Sequence, residues 1–154
     1  MMTIEQMKVA DLDQVCEIEA VSFSIPWSYQ GFYDSMMRED TIYLVAKEAG
    51  KVIGYCGAWI VCGEVQINNI AVLEESRGMG VGKAILKALF LEGEKRNTDS
   101  YTLEVRISNQ AAISLYEGMG FLSQGVRPGF YDDPKEDALV MTAIPYGNGE
   151  VSLL

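Results

Sequence analysis

At 154 residues and 17.0 kDa, with 49% hydrophobic residues and a mean hydropathy of +0.07, the chain is long enough for one core and too short for two. Its 22 acidic and 12 basic residues give a net charge of −10, which disfavours direct binding to nucleic-acid phosphate and suits a cationic, amine-bearing partner. There is no histidine, so the imidazole triads and usual zinc sites are excluded, no metal is expected, and acid–base chemistry falls to carboxylate, tyrosine, lysine, thiol or water.

The opening MMTIEQMKVADLD lacks a basic start followed by an apolar block, and no run approaches the ~18 uncharged residues of a membrane span. A cytoplasmic protein without a membrane partner is expected. Residues 3–9 read as a short strand, and Asp11 is placed to cap a helix in which Leu12, Val15, Cys16, Ile18 and Glu19 recur at helical spacing. After the turn Ser24-Ile25-Pro26-Trp27-Ser28, Ser28 is the cap of a second helix reaching about Arg38. Strands over 41–48 and 51–61 follow, joined by the turn Glu48-Ala49-Gly50. Cys16, Cys56 and Cys62 form an odd set without C-x-x-C spacing, which predicts buried, reduced thiols rather than a disulfide framework.

The strand over 65–72 carries an anomaly: Val65 and Ile67 are apolar at odd positions, Ile70 and Val72 at even ones. Side chains on a strand alternate with a period of two, so the slip implies either an extra residue, a β-bulge at Asn68-Asn69, or burial on both faces. A long helix then runs to about Arg96, with Val81, Ala84, Ile85, Ala88 and Leu89 on its inner face. In the next strand, 101–106, Tyr101, Leu103 and Val105 share one face, and Thr102, Glu104 and Arg106 the other. Asn109 caps a helix through about Gly118 with Gly120 as its stop, and strands 122–126 and 138–144 close the sheet. The sum is an α/β chain of α+β character. It predicts a mixed, mostly antiparallel sheet of six to seven strands with about four helices on both faces, a single domain over 1–146, and a flexible tail over 147–154.

The segment Arg77-Gly78-Met79-Gly80-Val81-Gly82 enters the long helix. Glycines let backbone approach a ligand closely, and free amides at a helix N-terminus can hold a pyrophosphate, with Arg77, Lys83 and Lys87 adding local positive charge. A structural turn is the competing reading. No Gly-Lys-Ser/Thr follows, so it is not a P-loop.

R-x-x-G-x-G at Arg77, Gly80 and Gly82, directly after Asn69-Ile70-Ala71-Val72, resembles the pyrophosphate loop of the GNAT acetyltransferases. Leu103-Glu104-Val105-Arg106 with Ser108-Asn109, and Leu115-Tyr116-Glu117-Gly118-Met119-Gly120-Phe121, extend the likeness. Together with Pro26-Trp27-Ser28 and Glu136-Asp137-Ala138, they resemble the ribosomal-protein-alanine N-acetyltransferase (RimI-type) branch, from about Thr3 to Ile144.

The resemblance implies that acetyl-CoA is the co-substrate and that Ile70, Ala71 and Val72 pair with its pantetheine arm. On the same likeness residues 77–82 hold the diphosphate, an amide near Ala71 or Val72 stabilises the oxyanion, and Asn109 contacts the cofactor in addition to capping. Glu104 matches the family's general base and Tyr116 its general acid. Without the resemblance, Glu104 is an ordinary strand glutamate and Tyr116 a core residue. Trp27, Arg127 and Tyr131 fall on the acceptor side, although Trp27 also suits a hydrophobic staple on the second helix. The branch commonly ends this segment in two tyrosines, whereas this chain has Phe130-Tyr131.

An α-ammonium (pKa ~8) lies about 5 kcal/mol uphill of a carboxylate (~4.3), and a lysine ammonium (~10.4) about 8 kcal/mol, which favours an α-amino acceptor. The implied partner is a protein N-terminus, that of a small-subunit ribosomal protein, met by a monomer or weak homodimer. Small-amine acetylation, a non-catalytic acyl-CoA-binding module and a purely structural role stay open on the residues alone.

Overall fold

The computed structural model describes residues 1–146, 150 and 151. Two tight turns set one side of the sheet. Ala49 and Gly50 (φ 52° and 77°) and Cys62 and Gly63 (φ 50° and 80°) are paired left-handed residues, the conformation of hairpin turns whose twist matches the flanking strands. They join β2 (Thr41–Glu48) to β3 (Lys51–Val61) and β3 to β4 (Glu64–Val72), while β1 (Met2–Gln6) pairs antiparallel with β2.

The long crossover from β4 contains α3 (Val81–Lys95) and returns as β5 (Ser100–Arg106), so these two strands are parallel. Their pairing is brief: Glu64, Val65 and Gln66 match Ser100, Tyr101 and Thr102, and then the strands part. Beyond that point β5 continues on β7 (Lys135–Ala143), which carries β6 (Leu122–Asp132) at the edge. The order is β1-β2-β3-β4-β5-β7-β6, a mostly antiparallel seven-stranded sheet.

Helices cover both faces. α1 (Leu12–Ser22) and α2 (Tyr29–Met36) bury Leu12, Val15, Ile18 and Phe32 against Tyr43, Val45 and Tyr55. α3 and α4 (Gln110–Gly118) bury Ile85, Leu86, Leu89, Phe90, Ile113 and Tyr116 against the other face. Ser28 caps α2 by accepting the Gly31 N–H, and the Trp27 and Phe32 rings, 5.4 Å apart, form the staple. Asn109 caps α4 by accepting the Ala112 N–H. α4 ends as a Schellman turn: Phe121 N–H donates to Tyr116 C=O, Gly120 N–H donates to Glu117 C=O, and Gly120 has φ 91°.

The bulge settles the parity anomaly. Gly57 pairs with Asn69 and Ala58 with Ile67, so Asn68 has no opposite residue. One extra residue turns the strand over, and Val65, Ile67, Ile70 and Val72 therefore all pack against the α3 side while Ala71 joins the α1 side.

Several expectations are corrected. The first strand ends at Gln6, because Val9–Asp11 form a single 3₁₀ turn. That turn leaves Asp11 helical (φ −88°, ψ −15°), so its side chain caps nothing in α1; it accepts the Lys8 N–H and pairs with Lys47 Nζ at 2.9 Å. The second helix stops at Met36. Residues 127–131 are strand, since β6 and β7 form one long hairpin with its tip at Asp133-Pro134. Of the three free cysteines only Cys56 is buried; Cys62 is exposed in a turn. The tail expectation lies largely outside the described residues, but β8 (Pro145–Tyr146) and β9 (Glu150–Val151) pair antiparallel.

Opposite the bulge, a Cβ added to Gly57 would sit 2.2 Å from the Tyr43 ring. Gly57→Ala is expected to cost about 1–3 kcal/mol by overpacking, read as a lower urea midpoint at unchanged slope.

Candidate active site

Leu73 N–H donates to Ile53 C=O at 2.9 Å, which fixes the phase of the β3–β4 ladder. Along an antiparallel pair, residues alternate between bonding the partner and facing away, so Ala71, opposite Tyr55, spends its main-chain groups on β3. Ile70 and Val72 turn theirs the other way, into the gap left where β4 and β5 part. Of the expected trio, two residues front the cleft and Ala71 does not. Of the two amides named for the oxyanion, only that of Val72 faces it.

The turn into α3 supplies a second set of free amides. Gly78 and Gly80 have φ 78° and 80° with open space where a Cβ would be, so glycine is required there by conformation. Ala84 N–H makes the first helical bond, to Gly80 C=O, leaving the amides of Val81, Gly82 and Lys83 free of helical partners. At Gly82 a Cβ would lie 2.8 Å from Leu115 Cδ2, so the missing side chain lets α3 approach α4 while the amide stays free of a helical partner. Met79 is exposed, and the Arg77 guanidinium reaches back to the Val72 carbonyl at 3.2 Å.

Glu104 lies on β5 beyond the point of divergence, half-buried, on the face opposite Leu103 and Val105. Arg106, two residues on, shares that face and organises the β6–β7 tip. It donates to the carbonyls of Asp133 and Pro134, pairs with Glu136 at 3.2 Å, and lies 4.3 Å from the centre of the Tyr131 ring. Glu136 in turn accepts the Ser108 N–H, which together with Arg106 holds its carboxyl below the usual range. Burial pushes the Tyr131 phenol up to about 12, aided by the charge of Glu104 and partly offset by Arg106. The Arg127 guanidinium lies 5.7 Å from the centre of the Phe130 ring.

Tyr116 approaches from the opposite side of the sheet. The Schellman turn anchors it, its ring is 5.7 Å from that of Phe121, and only 6% of the residue is exposed. Burial raises its pKa strongly, with smaller contributions from Tyr131 and Cys56. Tyr116, Tyr131 and Glu104, from α4, β6 and β5, are therefore electrostatic neighbours.

The turn over residues 23–28 is tied to the hairpin tip by the Ser24 hydroxyl, which donates to the Asp133 carbonyl. Sequence reasoning missed this tie, the Arg106 network, and a buried carboxylate, Glu19, beneath the turn. Its signal was present: Glu19 occupies an apolar-stripe position of α1.

The model of the Acetyltransferase (GNAT) family matches residues 10–121. The chain belongs to this family. Among GNAT relatives, the [ribosomal protein bS18]-alanine N-acetyltransferase of Escherichia coli (strain K12) is 36% identical over 147 residues, spanning 94% of this chain and 98% of the relative. A Bacillus subtilis (strain 168) protein that carries the same name provisionally is 38% identical over 139 residues, 90% of this chain and 92% of its own. The crystal structure of the Escherichia coli ribosomal-protein-S18-alanine N-acetyltransferase superposes with a TM-score of 0.83 at 35% identity, covering 92% of both chains.

Tyr116, Tyr55 and Tyr131 all have folded pKa values above the ordinary ~10, so the unfolded chain loses those protons first as pH rises. Their stabilisation is complete below pH ~10 and is lost as pH climbs through the raised values. Thermal melts are expected to hold steady from pH 7 to 9 and fall above about 10, with tyrosinate absorbance appearing together with unfolding.

Proposed function

We propose that this GNAT enzyme transfers the acetyl group of acetyl-CoA to the N-terminal α-amino group of a protein, the acceptor being a small-subunit ribosomal protein that begins with alanine. The observation that carries the reading is the parting of β4 from β5 past Gln66, with Glu104 and Tyr116 on its two sides. The names of the relatives support the acceptor. So does the Ser24–Asp133 closure, since a slot roofed at the side admits a chain end more readily than the middle of a chain.

On this reading the pantetheine arm adds to the main chain of Ile70 and Val72 as a half-strand, and the diphosphate rests on the amides of residues 78–82. Arg77 lends charge, and Asn109 serves the cofactor with the part of its amide not used for capping. The acceptor nitrogen attacks the thioester carbonyl; a C–N bond forms and the oxyanion meets the Val72 amide. Glu104 takes the ammonium proton, directly or through water. The C–S bond then breaks, and Tyr116, held protonated by burial, donates to the departing thiolate. Trp27 and Tyr131 flank the acceptor.

The purified protein, incubated with acetyl-CoA and a panel of peptides and free amines, is expected to acetylate the α-amine of alanine-initiated peptides, read by mass spectrometry. Acetylation confined to polyamines or aminoglycosides defeats the assignment. Glu104→Gln and Tyr116→Phe should each lower kcat by about 10²-fold or more while calorimetric CoA affinity holds. Wild-type rates in both variants would remove them from the chemistry.

A further inference from the structure

Glu19 is 1% exposed, and among the described residues no lysine or arginine pairs with it. Taking a carboxylate out of water is costly unless its oxygens find donors. Those donors are neutral and come from three separate segments. The Trp27 N–H, in the acceptor-side turn, donates to Oε2 at 2.9 Å. The Tyr55 hydroxyl, on the β3 residue paired with Ala71, donates to Oε1. The Asn69 amide, on the residue just after the bulge, lies 3.4 Å from both oxygens.

We infer that Glu19 is a positioning residue that clamps the acceptor-side turn to the β4 bulge and so sets the distance between the incoming amine and the cleft. An apolar residue could fill the same volume but could not accept from these three segments at once. The bulge determines where Ile70 and Val72 face the gap, and Trp27 borders the acceptor; one carboxylate joins the two. Asn69 is 4% exposed and, among the described residues, its Oδ1 has no partner and its amide is held in orientation by Glu19 alone. The inference rests on the proposed acceptor side, although the clamp itself is independent of that reading.

Exchanging the partners tests it. Asn69→Asp sets two carboxylates against each other, and Glu19→Gln removes the charge, whereas the double variant restores a carboxylate–amide pair with polarity reversed. Each single variant is expected to raise the KM for an alanine-initiated peptide about tenfold, the scale of one hydrogen bond to a charged group, and to leave the CoA Kd within about threefold. The double variant should recover to within about threefold of wild type. Unchanged peptide KM in the single variants, no recovery in the double, or a parallel loss of CoA binding would overturn the inference. Should Glu19→Gln not fold, Asn69→Ala is read in the same assay with the same criteria.

If the wild-type protein acetylates no peptide, the proposed function fails and the clamp is read optically instead. In a Trp59→Phe background, where Trp27 is the sole indole, Glu19→Gln should increase acrylamide quenching of Trp27 at unchanged circular dichroism. Equal quenching overturns the clamp.

Discussion

Everything at the site follows from main-chain groups in the middle of a sheet that have no neighbouring strand. β4 pairs with β3 along its length but with β5 over three residues only, so Ile70 presents its donor and acceptor, and Val72 its N–H, to an open gap, the Val72 carbonyl being met by Arg77. Unpaired backbone normally occurs at a sheet's outer edge, where water or a covering element satisfies it. Here it lies between two core strands, and an extended, amide-bearing ligand is the natural complement. The bulge at Asn68 is what permits this: it turns the strand over, keeping Ile70 and Val72 packed on the α3 core while their main chain faces the gap.

A gap through a sheet can be served from both sides, and this one is. Tyr116 comes from the α3–α4 side, where a Schellman turn and the Phe121 ring hold it. Glu104 and Tyr131 come from the α1–α2 side, with Arg106 fixing the hairpin that carries Tyr131. On the proposed reaction, no single element could deliver an acid and a base to opposite sides of a thioester, whereas a sheet opened in its middle can. The long β6–β7 hairpin is irregular. Its register slips between Arg127 and Tyr131, at Pro128 and Gly129 (φ 61°), and its tip is tied to Ser24 through the Asp133 carbonyl.

Much of this was legible in the chain. The parity slip at Asn68-Asn69 located the bulge because a period of two leaves little room for error, and the caps Ser28, Asn109 and Gly120 were readable because their chemistry is local. What escaped was non-local. Asp11 looked like a cap, but its partner Lys47 is 36 positions away, a separation no local pattern encodes. The strands at 122–126 and 138–144 are longer in the structure, because Pro128 and Gly129 are tolerated at a bulged sheet edge and pairing across the strands is non-local. The place of Gly82 in the glycine-rich turn is local and readable, whereas the contact that excludes a side chain there is with Leu115 in another helix.

The proton economy of the proposed reaction follows from burial. Tyr116 and Tyr131 both sit where desolvation keeps phenols protonated, so near neutrality neither serves as a base. With histidine absent from the sequence, the carboxylate of Glu104 remains as the proton acceptor among these gathered groups. A carboxylate is a weak base for an ammonium, and the mismatch grows by about 3 kcal/mol in passing from an α-amine to a lysine side chain. On the proposed reading, preference for chain ends would arise twice in one architecture: from the Ser24–Asp133 tie, which limits what enters, and from the base, which limits what can be deprotonated once there.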